Sequence, residues 1–258
     1  MKVFLAVLPP PHRVAPDAAV NRNTVALVAS VSRGEDLKRV VLSQGLTKEL
    51  GSATTCYVTD VTNDEAIDKM LEHTMKSFPG TMLGGIVNCA GVGMAMTTVN
   101  KKGPHDMGVF DWVMKINVHG TFSCSARAAA IMSKQAKDED GETGCIINVA
   151  SVAAFEGQKG QAAYGASKGA VVAMGLPMAR DLSRFGIRVN TICPGTMLTP
   201  MMKAASEKVK ASLLADVVAP KRMGDPAEFA HAAKFLIENS YMNAQVIRVD
   251  GGVRMSNL

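Results

Sequence analysis

Short apolar runs rich in Val, Ile, Leu and Cys punctuate the chain at Thr54–Thr59, Leu83–Asn88, Cys145–Val149, Ile187–Cys193 and Gln245–Val249. Each run is nearly continuous instead of alternating with polar residues, which is the pattern of a strand buried on both faces. Longer stretches with apolar residues at helical spacing fill the intervals. Thr62-Asn63-Asp64-Glu65 predicts a capping box opening a helix that runs to about Ser77. Asp225-Pro226-Ala227-Glu228 sets a capping acid, a first-turn proline and a glutamate at the head of another, running to about Asn239. Phe110–Gln135 and Gln161–Arg184 predict two long central helices, and the charged stretch Lys137–Gly144 a surface turn. Strand and helix in alternation predict an α/β fold, a doubly wound parallel sheet covered on both faces. No repeat, low-complexity tract or linker divides the chain, so residues 1–258 are expected to form a single domain.

Composition narrows the class. The 258 residues, 47% of them hydrophobic, suffice for one large core and not for two. The formal net charge of +5 is spread over scattered Lys and Arg, apart from pairs such as Lys101-Lys102 and Lys221-Arg222. That distribution supplies no nucleic-acid arm but favours anionic substrates. The cysteines (Cys56, Cys89, Cys124, Cys145, Cys193) lie far apart in mostly apolar runs, and the histidines are equally isolated. Reduced core thiols and no metal site are the expectation. No apolar run reaches the length of a membrane span. The stretch before Asp17 holds Lys2, His12 and Arg13 but no acid, which fits an organelle-targeting peptide. Val3–Leu8 within it fits a buried strand at least as well.

The chemistry is carried by Tyr164 and Lys168, with Ser151 upstream at the end of the Cys145–Val149 strand. Residues four apart on a helix share a face, so phenol and ammonium point into one space. A tyrosine has a reference pKa near 10. A fixed ammonium beside it favours the phenolate, so Tyr164 is expected to act as general acid or base. Ser151, at the carboxyl edge of the sheet where ligands bind, can hold the oxygen on which charge develops.

The whole string Asn148–Lys168 (NVASVAAFEGQKGQAAYGASK) resembles the active-site segment of the short-chain dehydrogenase/reductase family. Further segments carry the same resemblance. Asn88-Cys89-Ala90-Gly91 resembles the family's turn against the cofactor. Asn117, in Lys-Ile-Asn-Val-His-Gly-Thr, resembles the asparagine that orders a water beside the lysine. Asp60-Val61 resembles the pair that holds the adenine. Pro194–Pro200 resembles the stretch whose backbone and Thr199 hold the carboxamide, and Val249–Gly252 the last strand and turn. The resemblance implies a Rossmann-like fold and hydride transfer between a nicotinamide cofactor and a secondary alcohol or ketone. Implied catalytic residues are Ser151, Tyr164, Lys168 and Asn117. Implied cofactor contacts are Asp60, Val61, Asn88, Cys89, Ala90, Gly91, Tyr164, Lys168, Pro194, Gly195, Met197 and Thr199.

Less common features resemble the family's branch acting on 3-hydroxyacyl-CoA. They are the insert Val92–Met107, the acidic turn 137–144, the run Ala150–Tyr164 and the helix Gly224–Asn239. They imply NAD as cofactor, with NADP left open, and an acyl-CoA or hydroxysteroid substrate contacted by Ser151 and Gln161. They also imply a homotetramer formed through the two central helices and a mitochondrial location. Relatives in this branch also serve in tRNA processing. A 3-oxoacyl-carrier-protein reductase is the nearest rival activity, and a scaffold without catalysis the rival from another class. Lys101 and Lys102 are either a solvated pair or a seat for the phosphates of coenzyme A.

The resemblance covers residues 44–258, and residues 1–43 depart from it. The family's first strand runs into a turn with three glycines, needed for a tight bend and for pyrophosphate to reach a helix N-terminus. Here the first glycine is Gly34, followed by an isolated Gly45. Either Val3–Leu8 is strand one and Thr24–Ala29 strand two, or Thr24–Ala29 is strand one and Arg39–Leu42 strand two. The second leaves too few residues for a helical crossover, and length therefore favours the first. Neither sets an acid at the end of strand two, since Ser30 and Ser43 stand there.

Overall fold

The computed structural model describes residues 2–7, 25–30, 54–57, 59–199, 202 and 207–255. The strands are β1 (Lys2–Val7), β2 (Val25–Ser30), β3 (Thr54–Tyr57), β4 (Gly85–Asn88), β5 (Val99–Asn100), β6 (Gly103–Pro104), β7 (Gly144–Val149), β8 (Ile187–Pro194) and β9 (Val246–Val249). β5 and β6 make a separate small hairpin, and the others form one sheet in the order β3-β1-β2-β4-β7-β8-β9. From β2 to β9 every pairing in that sheet is parallel. The helices are α1 (Asp64–Ser77), α2 (Met107–Met114), α3 (Thr121–Met132), α4 (Ala162–Leu182), α5 (Glu207–Ala215) and α6 (Pro226–Glu238).

The near-continuous apolar runs have their physical reason in the two cores. Ile86 and Ile146 pack on one face with Ile67 and Met70 of α1, Ala128 and Met132 of α3, and Met178 of α4. Their neighbours Val87 and Ile147 pack on the other face with Ala233 and Leu236 of α6. Successive strand residues thus alternate between two covered faces, each buried side chain worth about 1.5–3 kcal/mol. At the amino edge of the sheet, Arg188 pairs with Glu142 and donates to the carbonyls of Leu236, Ile237 and Met242. It thereby satisfies the last turn of α6.

Three expectations change. β1 lies antiparallel to both β2 and β3, so one strand opposes an otherwise parallel sheet. β2, and not β1, pairs with β4. β2, which falls on the second apolar run, therefore stands where the family's first strand stands, and β1 takes the next place in reverse, against the register that length favours. An antiparallel neighbour needs no helical crossover, which removes the length objection. Lys2–Val7 is thus a strand, and Leu8 lies outside the described residues. Arg39–Leu42, Ser43 and Pro200 lie outside the described residues.

The α1 cap is Asn63, which accepts from the Ala66 amide, whereas Thr62 turns back to Asp60. The expected cap at Asp225 and first-turn proline are present, and Glu228 completes a capping box there. Of the expected helix Phe110–Gln135, the part to Met132 is helical but interrupted by a π-helix at Lys115–Gly120 between α2 and α3. Among the described residues no helix is long and apolar enough to cross a membrane.

Candidate active site

The parallel strands aim their carboxyl ends at one edge, and most of the expected site residues are on it. β7 ends at Val149, and Ser151 caps a single 3-10 turn, Val152–Ala154, by accepting from the Ala153 amide at 3.1 Å. α4 begins at Ala162, which sets Tyr164 and Lys168 on its first two turns, on the face turned to Ser151. Tyr164 and Ser151 are joined side chain to side chain. The Lys168 ammonium lies 5.8 Å from the centre of the Tyr164 ring and donates to the Val149 carbonyl at 2.8 Å. Three residues proposed for one proton transfer are thus held by one strand end and one helix start.

Electrostatics depart from the sequence expectation. Burial pushes the Tyr164 phenol above its ordinary value, and the bond to Ser151 is what pulls it back down. Burial brings Lys168 to about 8, with the neighbouring Cys89 and Cys193 acting the other way. The serine, more than the lysine, favours the phenolate in this geometry. The reason is that Lys168 spends a bond on Val149 and is itself short of water.

Asn117 is fully buried in the π-helix, and its amide is committed. Its oxygen accepts from the Val92 amide at 2.8 Å; its nitrogen donates to the Val92 carbonyl and to Ser167, each at 2.9 Å. Ser167 donates in turn to the Tyr164 carbonyl at 2.7 Å. The asparagine therefore ties the turn after β4 to the helix that bears Tyr164 and Lys168. Ser167 was not singled out from sequence, although it stands three residues after Tyr164 on the same helix.

The turn Asn88–Gly91 follows β4. Asn88 donates to Ser125 at 2.8 Å and to Asn148 at 2.9 Å, locking β4 to β7 and α3. Cys89 is pushed up to about 12 by burial. Ala90 is buried. A side chain at Gly91 would stand 3.2 Å from the Lys168 ammonium and 3.5 Å from the Asn117 oxygen, so the turn lies directly against both. Pro194 ends β8. Gly195 donates to the Val249 carbonyl at 3.0 Å, and a side chain there would strike Asp250 at 2.9 Å. Met197 bridges to Gly224, and Thr199 accepts from the Met202 amide at 3.4 Å.

Asp60 and Val61 stand farther along the same edge, beyond β4. Asp60 is exposed, and its carboxyl lies below its ordinary value. Burial raises it, but the amide and hydroxyl of Thr62, helped by the charge of Lys115, act the other way. Val61 is fully buried and fills the space beside Gly120, so only its backbone can meet a ligand. Gln161 caps α4 without spending its side chain on the cap. The insert crosses the same region: Gly93 lies against the Tyr164 ring, and the Met96 amide donates to Gly160 at 2.7 Å. Lys101 and Lys102 are exposed at the tip of the β5–β6 hairpin.

Lys168 tests whether a nicotinamide nucleotide suits this edge. An ammonium has three donors, and among the described residues one goes to Val149. Two remain for a pair of ribose hydroxyls beside Asn88–Gly91, which fits.

A family model described as enoyl-(acyl carrier protein) reductase matches residues 19–254. The human 3-hydroxyacyl-CoA dehydrogenase type-2 is 45% identical over 210 residues, covering 81% of this chain and 80% of the relative. A 3-oxoacyl-[acyl-carrier-protein] reductase of Thermotoga maritima is 33% identical over 76% of each. A crystal structure of 3-hydroxyacyl-CoA dehydrogenase type-2 from Mycobacterium avium superposes with a TM-score of 0.77 at 38% identity, over 83% of both chains.

Proposed function

The chain belongs to the short-chain dehydrogenase/reductase family, an oxidoreductase family that uses a nicotinamide cofactor, and from that premise we propose that it interconverts 3-hydroxy and 3-keto groups of short or branched acyl-CoA with NAD(H). The observation that carries the proposal is the joined set Ser151, Tyr164 and Lys168 at the carboxyl edge of the sheet. A bound nicotinamide nucleotide would supply the hydride chemistry. Tyr164 takes the hydroxyl proton in oxidation and returns it in reduction. Ser151 holds the substrate oxygen and keeps the phenol within reach of ionisation. Lys168 offers its two remaining donors to the ribose, and Asn117 holds the turn against it. Asn88–Gly91 and the Pro194–Thr199 segment, through Gly195, Met197 and Thr199, line the nicotinamide end, while Asp60 and Val61 meet the adenine.

The acyl-CoA substrate is supported by the relatives' names and by the insert, which borders Tyr164 and carries Lys101 and Lys102 outward. Gln161 faces the same substrate, and a hydroxysteroid fits the same chemistry. NAD in preference to NADP rests on the likeness to this branch. The apolar groove between α3 and α4, lined by Phe122, Met178 and Phe185, supports a homotetramer built on the central helices. A mitochondrial location belongs to the same reading.

The test is turnover of a short 3-hydroxyacyl-CoA with NAD, read as NADH formation, beside a 3-oxoacyl-carrier-protein with NADPH. Turnover of the thioester of coenzyme A alone supports the proposal; turnover of only the carrier-protein substrate gives the rival activity. A second reading, a scaffold that has lost its cofactor, is favoured by the missing glycine-rich turn in residues 1–43. Binding of neither NADH nor NADPH at millimolar concentration would establish it.

A further inference from the structure

Outside the residues above, the carboxyl edge carries a sheltered charge cluster that no step yet uses. Arg248, on β9, donates from all three guanidinium nitrogens. Nε reaches Asp250 at 2.7 Å, Nη1 reaches Glu156 at 2.6 Å, and Nη2 reaches the Val253 carbonyl at 2.7 Å. The second Glu156 oxygen accepts from the Met255 amide at 2.9 Å. The side chains of Arg248, Glu156 and Asp250 are only 23%, 17% and 9% exposed, whereas Lys69 and Glu65 on α1 are 58% and 76% exposed. Arg254, 67% exposed, adds longer contacts to Glu156 and Asp250, so the short, sheltered bonds of the cluster are those of Arg248.

The position of the cluster gives it meaning. Glu156 stands two residues after the 3-10 turn that Ser151 caps, and its amide donates to the Val152 carbonyl at 3.0 Å. That turn is pressed between two surfaces. On one side Gly165 and Gly169 of α4 meet the carbonyls of Ala153 and Ala154. On the other, Val152 packs on Val217 and Val253. Asp250, the other partner of Arg248, packs on Gly195, at the head of the segment expected to face the nicotinamide.

We propose that Glu156, Arg248 and Asp250 are positioning residues that fix the Ser151 hydroxyl relative to the Pro194–Thr199 segment, so that substrate oxygen and hydride acceptor keep one geometry. The inference rests on the dehydrogenase reading above. The Arg248 guanidinium spans both walls of the site at hydrogen-bond distance, where Arg254 reaches the same two carboxylates only at 3.6 and 3.7 Å, and the planar fork of Arg248 is what spans them. A lysine at that position keeps the charge but has only one nitrogen for three separated acceptors.

The experiment compares Arg248→Lys and Glu156→Gln with the parent chain by acyl-CoA kinetics and by backbone hydrogen exchange. Arg188→Lys, altering the sheltered pair at the opposite edge, is the control for general loosening. Arg248→Lys is expected to lower kcat about 10–100-fold, the scale of a small misplacement of reacting groups, with KM within about twofold. Amides of Val152–Glu156 and of Gly195 should exchange faster together, and Arg188→Lys should leave both segments protected. A folded Arg248→Lys variant that keeps its kcat, or that loosens only one of the two segments, would overturn the proposal. If the parent chain itself turns over no acyl-CoA, the dehydrogenase reading fails separately. The clamp is then judged by the exchange data alone, and unchanged protection in either segment ends it.

Discussion

Lys168 holds a positive charge where water cannot reach it, and its ammonium titrates at about 8 where an exposed lysine titrates at 10.5. A lowered lysine pKa means that the folded chain holds fewer protons than the unfolded chain between those two values. Stability must then rise with pH across that window, by at most about 3 kcal/mol if the whole shift is realised. Denaturant titrations of the cofactor-free protein near pH 7.5 and pH 10 should show this gain, and Lys168→Met should remove it. A parent and variant with parallel pH dependence would show the lysine to be hydrated. Gly91 makes the complementary case. Its Cβ would stand 3.2 Å from that ammonium, so Gly91→Ala should displace the lysine. The expected result is at least a tenfold loss of kcat with less than about 1.5 kcal/mol lost in stability, read by kinetics and thermal unfolding. Tyr164, Lys168 and Ser151 were legible in sequence because helical spacing and a strand end place them. The upward shift of the Tyr164 phenol was not, because the competition between burial and Ser151 exists only once the phenol is packed.

The π-helix at Lys115–Gly120 is the element that sequence periodicity hid. An uninterrupted apolar pattern over Phe110–Gln135 reads as one α-helix, and one extra residue in a turn leaves that pattern almost unchanged. Its effect is to bring Asn117 inward, with Gly120 against Val61. Three hydrogen bonds leave one amide there, so Asn117→Ala should cost about 2–4 kcal/mol, with buried Val92 groups left unpaired. Asn117→Asp keeps the shape and the acceptor but loses both donations, and should destabilise less while still lowering kcat. Chemical denaturation and turnover of the two variants check this, and an aspartate variant as active as the parent would separate the asparagine from the site. Pro177 shows the opposite relation. Local rules break a helix there, yet α4 runs from Ala162 to Leu182, with Val171, Met178 and Ala179 buried along it. Tertiary burial overrides the local preference, and the long apolar pattern predicted the outcome better than the proline did.

At the scale of the whole molecule, the two ends of the expected cofactor site are unequal. Strands β4, β7, β8 and β9 were legible because each is a continuous apolar run, and the nicotinamide end proposed above lies at their ends. The first part of the sheet was not legible. Two apolar runs without the glycine turn fix no direction, and β1 enters antiparallel between β2 and β3. The glycine turn normally supplies backbone amides to the pyrophosphate, each hydrogen bond to a charged group contributing about 1.5–3 kcal/mol. Residues 1–43 hold no such turn in their sequence, and Pro9-Pro10-Pro11 lack amide donors altogether. The adenosine and pyrophosphate half of NADH should therefore add little to affinity. Calorimetric titration should find NADH and reduced nicotinamide mononucleotide within about tenfold of each other, a difference of no more than about 1.4 kcal/mol. Lys168→Met should weaken both alike, because both carry the ribose that the lysine serves. A gap of a thousandfold in favour of NADH would mean that this chain grips the pyrophosphate by amides outside the family's glycine pattern.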